Sequence, residues 1–231
     1  MVLQELWNLI TEQVFPVEST CDLFNQYRDE EGLVDAEGAA AIRRRNLRSY
    51  VASYAKRPRT LVVGDAAGPW GCRFSGVPFT GEEQLLHLPE LPFRGRRSSH
   101  DSINPSLLRQ GPPPFNSVSA KAFWPFMTRY YRKPGFFVWD SVPFYPHPCG
   151  EILGKPKTKA AHRNLCADVL RQIIAILEPR TIVAVGSRAK KALRNVNRTY
   201  GLAFEFTKVR HPAYGGQPEF RAQTTEVFSR L

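Results

Sequence analysis

The sequence lacks several features, and each absence removes a class of function. Its 231 residues hold four cysteines, Cys21, Cys72, Cys149 and Cys166, with no Cys-x-x-Cys pair. A zinc or dithiol redox motif of the usual spacing is therefore excluded. No apolar run approaches the ~18 residues of a membrane span. Neither phosphate-loop pattern occurs, because no Gly-Lys-Ser/Thr ending and no G-x-G-x-x-G is present. Met1 to Phe15 contains acids and no basic residue, so no signal peptide is read there and a reducing, cytoplasmic and nucleoid-associated location is expected. There is no internal repeat.

Base is nearly absent from residues 1–37, where nine acids stand against Arg28 alone. The remainder carries 31 bases against 12 acids, a surplus of +19 within a net charge of +11. Such a basic body attracts a polyanion, most simply nucleic acid, with strongly salt-dependent affinity. The hydrophobic share of 42% suffices for a substantial core. The expected organisation is an acidic helical extension, 1–34, packed on an α/β domain, 35–231, with Arg43 to Arg48 as its contact.

Leu61 to Glu83 reads LVVGDAAGPWGCRFSGVPFTGEE. Three apolar β-formers stop at glycine, as a buried parallel strand does at the carboxyl edge of a sheet. Ligands of open α/β sheets bind outside that edge. A second strand is read at Phe136–Val142, followed by PFYPHP, and a third, Thr181–Val185, likewise ends at Gly186. A fourth, Phe204–Val209, delivers Arg210, His211 and Pro212 at its end. Helices are expected at 2–14, 19–31, 39–55, 82–88, 119–131, 158–177, after Ser187 as cap, and 218–230. Alternating strand and helix imply a three-layer αβα sandwich on a four-stranded parallel sheet, with a cleft at one edge. The long Pro-, Ser-, Gly- and Arg-rich segment 89–116 suits a functional or mobile loop.

Three strand-end motifs, GDAAGPWGCRFSGVPFTGE, WDSVPFYPHP and VRHPAYGG, together resemble those of the uracil-DNA glycosylase superfamily. The first is similar to the Gly-x-Ala-Pro-Gly … Phe-Thr-Gly-Asp pattern of its iron–sulfur and thermophile-type branches, with Ala67 for proline and Glu82 for aspartate. The third is similar to its His-Pro-Ser motif, with Ala213 for serine. The resemblance covers the chain from about Leu61 onward. It implies a monofunctional enzyme that flips uracil out of DNA, hydrolyses its glycosidic bond and leaves an abasic site. A relative of altered base specificity and an inactive binder of damaged DNA are the alternatives.

The residue roles are those the resemblance implies. Phe79 stacks on the flipped base. His211 and the amides around Ala66, Ala67 and Gly68 stabilise the charge of the leaving base. The best-known branch has its aspartate where Ala66 stands here, so the acid that positions water is Asp65, with Glu82 as second acid or pocket wall. Either could instead cap a helix or pair with Arg73, which also lines the site. Asp140 replaces the asparagine that reads the uracil edge; ionised, it only accepts hydrogen bonds, and protonated in an apolar pocket it could also donate. Tyr214 occupies the place of the apolar wedge, and Arg210, Lys208, Arg94, Arg96 and Arg97 are the phosphate contacts. Cys149 and Cys166 are spaced much like the second cysteine pair of the iron–sulfur branch, but Cys21 stands alone near the N-terminus, so no cluster is expected. No metal is called for, no motif lysine suggests a Schiff-base step, and a monomer acting on uracil-containing DNA, with no membrane, is expected.

Overall fold

The computed structural model describes residues 2–108, 111–131 and 135–230. The central sheet has four parallel strands in the order β3-β2-β5-β6. They are β2 (Thr60–Ala66), β3 (Phe136–Val142), β5 (Thr181–Val185) and β6 (Thr207–Val209). β2 is central because it is apolar on both faces: Leu61, Val62 and Val63 are all buried, and it pairs with β3 from Thr60↔Phe136 to Ala66↔Val142. On its other side it pairs with β5 from Thr60↔Thr181 to Val63↔Ala184. A continuous apolar run is what a parallel strand covered on both faces requires. A second, two-residue antiparallel pair joins β1 (Leu23–Phe24) to β4 (Tyr145–Pro146).

The helices are α1 (Val2–Gln13), α2 (Ala39–Ala52), α3 (Cys72–Ser75), α4 (Glu82–His87), α5 (Val118–Tyr130), α6 (Ala160–Leu165), α7 (Ala167–Leu177), α8 (Gly186–Tyr200) and α9 (Gln217–Ser229). No helix among the described residues is long and apolar enough to cross a membrane. The three-layer α/β sandwich is as expected, but several elements differ from their sequence reading. Residues 19–31 are turns and the short β1 rather than a helix. The Asn25 side chain donates to the carbonyls of Val14 and Val17 and accepts from the Tyr27 amide, while its own amide donates to Ser19 Oγ. Such side-chain bonds outcompete a helical ladder.

The helix expected over 158–177 is two helices that meet at Cys166, and the longest helix is instead α8. Thr158 lies outside because its hydroxyl is drawn away to Asp65, at 2.9 Å. Ser187 caps nothing; α8 starts at Gly186 itself. β6 is shorter than expected because Asn197 Nδ2 takes the Phe204 carbonyl at 2.9 Å. The helix expected from 119 starts at Val118, capped by Ser117 through the Ala120 amide. Lys133 and Pro134, expected to close that helix, lie outside the described residues.

The N-terminal segment shares the core of the sheet. Leu6, Ile10, Val14, Leu23 and Tyr27 are buried in the same hydrophobic cluster as Leu61, Val62 and Trp139. Its meeting with α2 is mostly aromatic rather than acidic: Arg44 lies over the Phe15 ring and Arg48 over the Trp7 ring, at 5.9 and 5.8 Å. The acid that does reach α2 is Glu30, which accepts from the Ala40 and Gly38 amides at 3.0 and 3.2 Å, where the helix dipole favours negative charge. Arg43 turns inward to Asp35 instead. Deleting residues 1–34 should therefore expose core and abolish cooperative unfolding. A urea melt of the truncated chain matching the full chain in midpoint and slope would contradict this.

Candidate functional site

The carboxyl ends of β2, β3 and β6 bring Asp65, Asp140 and His211 to one edge of the sheet. The contact at its centre needs a glycine. A Cβ on Gly64 would stand 2.1 Å from Asp140 Oδ1 and 2.4 Å from Phe79 Cε2, so the absent side chain is what lets the carboxyl and the ring converge over β2. Phe79 itself is held at φ +54°, in the left-handed region that a bulky residue adopts only under constraint. Its ring lies 4.7 Å from Phe123 and 5.9 Å from His211, centroid to centroid.

Asp140 is 3% exposed, and its carboxyl has no protein donor among the described residues. Burial, then the nearby Asp65 charge, pushes its pKa up to about 8. It is thus a protonated acid at neutral pH. Asp65 is held differently. Its Oδ2 accepts from Thr158 Oγ1 at 2.9 Å and from Arg188 Nη1 at 3.3 Å, while Oδ1 is buried with no partner. Burial raises the Asp65 pKa, and Thr158 and Arg188 pull it back.

His211 Nδ1 accepts from the Ala213 amide at 3.2 Å, which leaves the ring proton on Nε2. Burial, with Arg210 and Arg188 nearby, lowers its pKa to about 4, so the imidazole is neutral. Gly186, at φ +86°, gives it room: a Cβ there would come within 3.2 Å of the His211 Cβ. Tyr214 is 82% exposed at φ +54°, with Lys155 Nζ 5.9 Å from its ring centre. The Ala67 amide is already engaged, donating to Phe144 O at 3.2 Å. Ala66 ends β2, and the Gly68 carbonyl accepts from the Gly71 and Arg73 amides.

Other residues named from the sequence lie in structural networks. Arg73 is buried and donates to both oxygens of Asp35, at 2.5 and 3.2 Å, and Arg43 pairs with the same carboxylate. Its guanidinium is sandwiched near the Phe24 and Phe74 rings, not offered to a substrate. Glu82 is wholly buried. One oxygen accepts from the Ser98 and Ser99 amides, the other from Ser99 Oγ and the Phe115 amide, at 2.7–3.3 Å. The carboxylate thus ties two points of the long loop together, at Ser98–Ser99 and at Phe115, and has no lone pair to spare for water. Arg94 curls onto the carbonyls of Pro89, Leu91 and Phe93, and Arg97 pairs with Asp101. Arg96 is exposed, and Arg210 is exposed with Glu219 at 3.7 Å.

The sequence reading missed Thr158 and Arg188, which hold Asp65. Their one signal was position, a polar residue just before one helix and a cation in the first turn of another. It also missed a disulfide between Cys21 and Cys149, with Cα atoms 4.9 Å apart, which a reducing location does not anticipate. Cys72 and Cys166 are buried elsewhere, in different apolar clusters. Two of the four sulfurs are thus joined to each other and the other two lie apart in separate clusters, a placement that does not fit a four-cysteine cluster.

The protein-family model described as the uracil DNA glycosylase superfamily matches residues 51–229. No curated protein matches the chain significantly. Among solved structures, the crystal structure of wild-type SMUG2 from Pedobacter heparinus is similar over 100% of this chain and 97% of that one. The TM-score is 0.65 and the identity 14%, a likeness of fold.

Asp140 generates a sign-specific expectation. Its folded pKa lies above its unfolded value near 3.9, so the unfolded chain releases this proton first and stability falls as pH rises from about 4 to about 8. That loss is on the order of 4 kcal/mol at neutral pH. Asp140→Asn should raise the melting temperature at pH 8, with the gain fading towards pH 4; a gain independent of pH would show that the carboxyl is not buried as described.

Proposed function

The chain belongs to the uracil DNA glycosylase superfamily and is a DNA glycosylase, and from that premise we propose that it hydrolyses the glycosidic bond of uracil in DNA, leaving an abasic site without a lyase step. One observation carries the reading. Two buried carboxyls and a neutral imidazole gather around Gly64 and Phe79 with hydrogen-bonding atoms unspent.

A base reached by chemistry must leave the stack, and Phe79 offers the flipped pyrimidine an aromatic face. Protonated Asp140 matches the uracil edge: its carbonyl oxygen accepts from N3–H and its O–H donates to O4, as an asparagine amide would. An ionised Asp140 would repel O4. As the glycosidic bond breaks, electrons move onto the base. His211 Nε2–H then donates to O2, and because the ring is neutral it stabilises the anion without first giving up a proton. The Gly68 amide, which makes no hydrogen bond within the described residues, is a second donor.

Asp65 is the acid we assign to water. Thr158 and Arg188 fix Oδ2, and Oδ1 keeps its lone pairs for a water that attacks C1′ and passes it a proton. A raised carboxyl pKa makes it a better base. Glu82 has no such role in this scheme. Tyr214 is the wedge, supported by its exposure and its strained backbone. No step calls for a metal or cofactor, and we assign the enzyme to the cytoplasm, at the nucleoid, as a monomer.

The test is incubation with oligonucleotides bearing U, T, C, hypoxanthine or xanthine, followed by alkali. Strand scission is expected with uracil. Asp65→Asn should slow single-turnover excision by roughly 10²- to 10⁴-fold, and His211→Ala by roughly 10²- to 10³-fold. Glu82→Gln should lower the melting temperature more than the rate. Excision should fall as pH rises through about 8, where Asp140 ionises, and Asp140→Asn should remove that fall while retaining uracil. Scission at another base would assign a different specificity. Binding without scission of any oligonucleotide would make the protein a binder of damaged DNA.

A further inference from the structure

The arginines nearest the glycine-rich motif are mostly spent inside the fold, which leaves open where the DNA strand beside the target nucleotide finds its counter-charge. A groove of about 310 Å³ between α6 and α8 is lined by Ala160, Arg163, Asn164, Lys191, Arg194, Asn195 and Arg198. Neither 154–166 nor 186–204 contains a single acid, while together they hold nine lysines and arginines, of which Lys159 pairs with Asp22 and Arg188 with Asp65 from elsewhere in the fold. A solvated helix face usually mixes both signs, so a surface of one sign built from two chain segments indicates an anionic partner.

The groove and the strand-end site share one helix, α8. α8 begins at Gly186, against His211, and its Arg188 bonds Asp65. Arg188, Lys191, Asn195 and Arg198 recur at steps of three and four residues and so share one face of the helix. From Arg188 to Arg198 the helix rises ~15 Å, about four steps of a stacked strand at ~3.4 Å each. The far end is organised: Asn195 Nδ2 donates to Asn164 Oδ1 at 3.1 Å, and Arg198 Nη2 donates to Asn195 Oδ1 at 2.9 Å. Lys191 and Arg194 are exposed and carry no ion pair among the described residues.

We propose that the α6–α8 groove is a binding track for DNA phosphates on one side of the target nucleotide, leading the strand away from the catalytic edge. This rests on the reading of the chain as a DNA glycosylase. It assigns the track to Lys191, Arg194, Arg198 and Arg163, and it makes the footprint asymmetric: one flank contributes to affinity and the other does not. Phosphate contacts carry no sequence information, so the track adds affinity whatever the bases.

The experiment uses the full chain and fluorescent oligonucleotides with the target base flanked by 2 or 10 nucleotides on each side separately. Binding is followed by anisotropy across salt, and excision by single turnover in the same samples. Lengthening one flank should tighten binding by roughly tenfold or more. That gain should vanish in K191E/R194E, with the slope of log K against log salt falling by about 2. The single-turnover rate at saturating DNA should be unchanged, because neither residue touches the reacting atoms. R129E/R221E, an equal charge change on the exposed faces of α5 and α9, should keep the flank-dependent gain. The track is wrong if neither flank matters, if K191E/R194E binds like the parent, or if R129E/R221E loses as much. Release of no base from any oligonucleotide overturns the glycosylase reading instead, while flank and salt dependence still judge the groove.

Discussion

One buried carboxylate ties two helices to each other and, through them, to the long loop. Asp35 is fully shielded from solvent and serves two guanidiniums, Arg43 from α2 and Arg73 from α3. Arg43 also donates to Ser98 Oγ, and the Ser98 amide donates to Glu82, so two acids and two arginines form one buried polar network. Burial lowers the Arg43 pKa to about 10, still a cation at neutral pH. Such a cluster costs much desolvation to assemble and is most damaging when one member is lost, because the partner is left as an uncompensated buried charge. It fixes what apolar packing alone would leave free: the start of α4, the long loop at Ser98 and Ser99, and the glycine-rich turn that carries Phe79. A strained Phe79 at positive φ persists only where its surroundings over-determine it.

The dryness that makes this network expensive also sets the chemistry at the strand ends. Three titratable groups sit there, and each is moved by desolvation first. Asp140 is pushed towards its neutral acid, and His211 towards its neutral base. Asp65 alone is given a fixed cation, Arg188, and a hydroxyl, Thr158. Environments that separate the protonation states of neighbouring groups are how one site holds a donor and an acceptor at the same pH. An aspartate at the position of Asp140 is therefore less foreign than its formal charge suggests. In an apolar strand it has the hydrogen-bonding pattern of an amide until the pH reaches about 8.

Much of this was legible in the sequence where local pattern and tertiary demand agree. Phe136–Val142, apolar but for Asp140 and Ser141, and the mostly β-branched run Thr181–Val185 were read as strands, and both have those bounds. The reading failed where side chains capture backbone groups. Asn25 ties residues 14–27 into turns, Asn197 shortens β6, and Thr158 leaves its helix for Asp65. Periodicity counts apolar faces and cannot see such long-range polar claims. At the candidate site, the residues named from the three strand-end motifs, Asp65, Asp140, Phe79 and His211, lie at one edge of the sheet. The residues that support them, 93 and 123 positions from Asp65 along the chain, had no signature of their own.

Arginine was the least legible residue type, for a physical reason. The planar guanidinium with five donors is both a strong phosphate ligand and an effective internal cross-link, so density of arginine near a nucleic-acid motif does not say which use is made of it. Arg43, Arg73, Arg94 and Arg97 all turn to carboxylates or carbonyls of the fold. What separates the two uses is the company of acids and carbonyls, not the number of cations. Asp35 stands eight residues before Arg43 and Asp101 four after Arg97, whereas Lys191 and Arg194 of α8 are exposed and carry no ion pair among the described residues. A cation that the fold has not neutralised is the one left to meet a polyanion, and among the described residues Lys191 and Arg194 of α8 are two such cations.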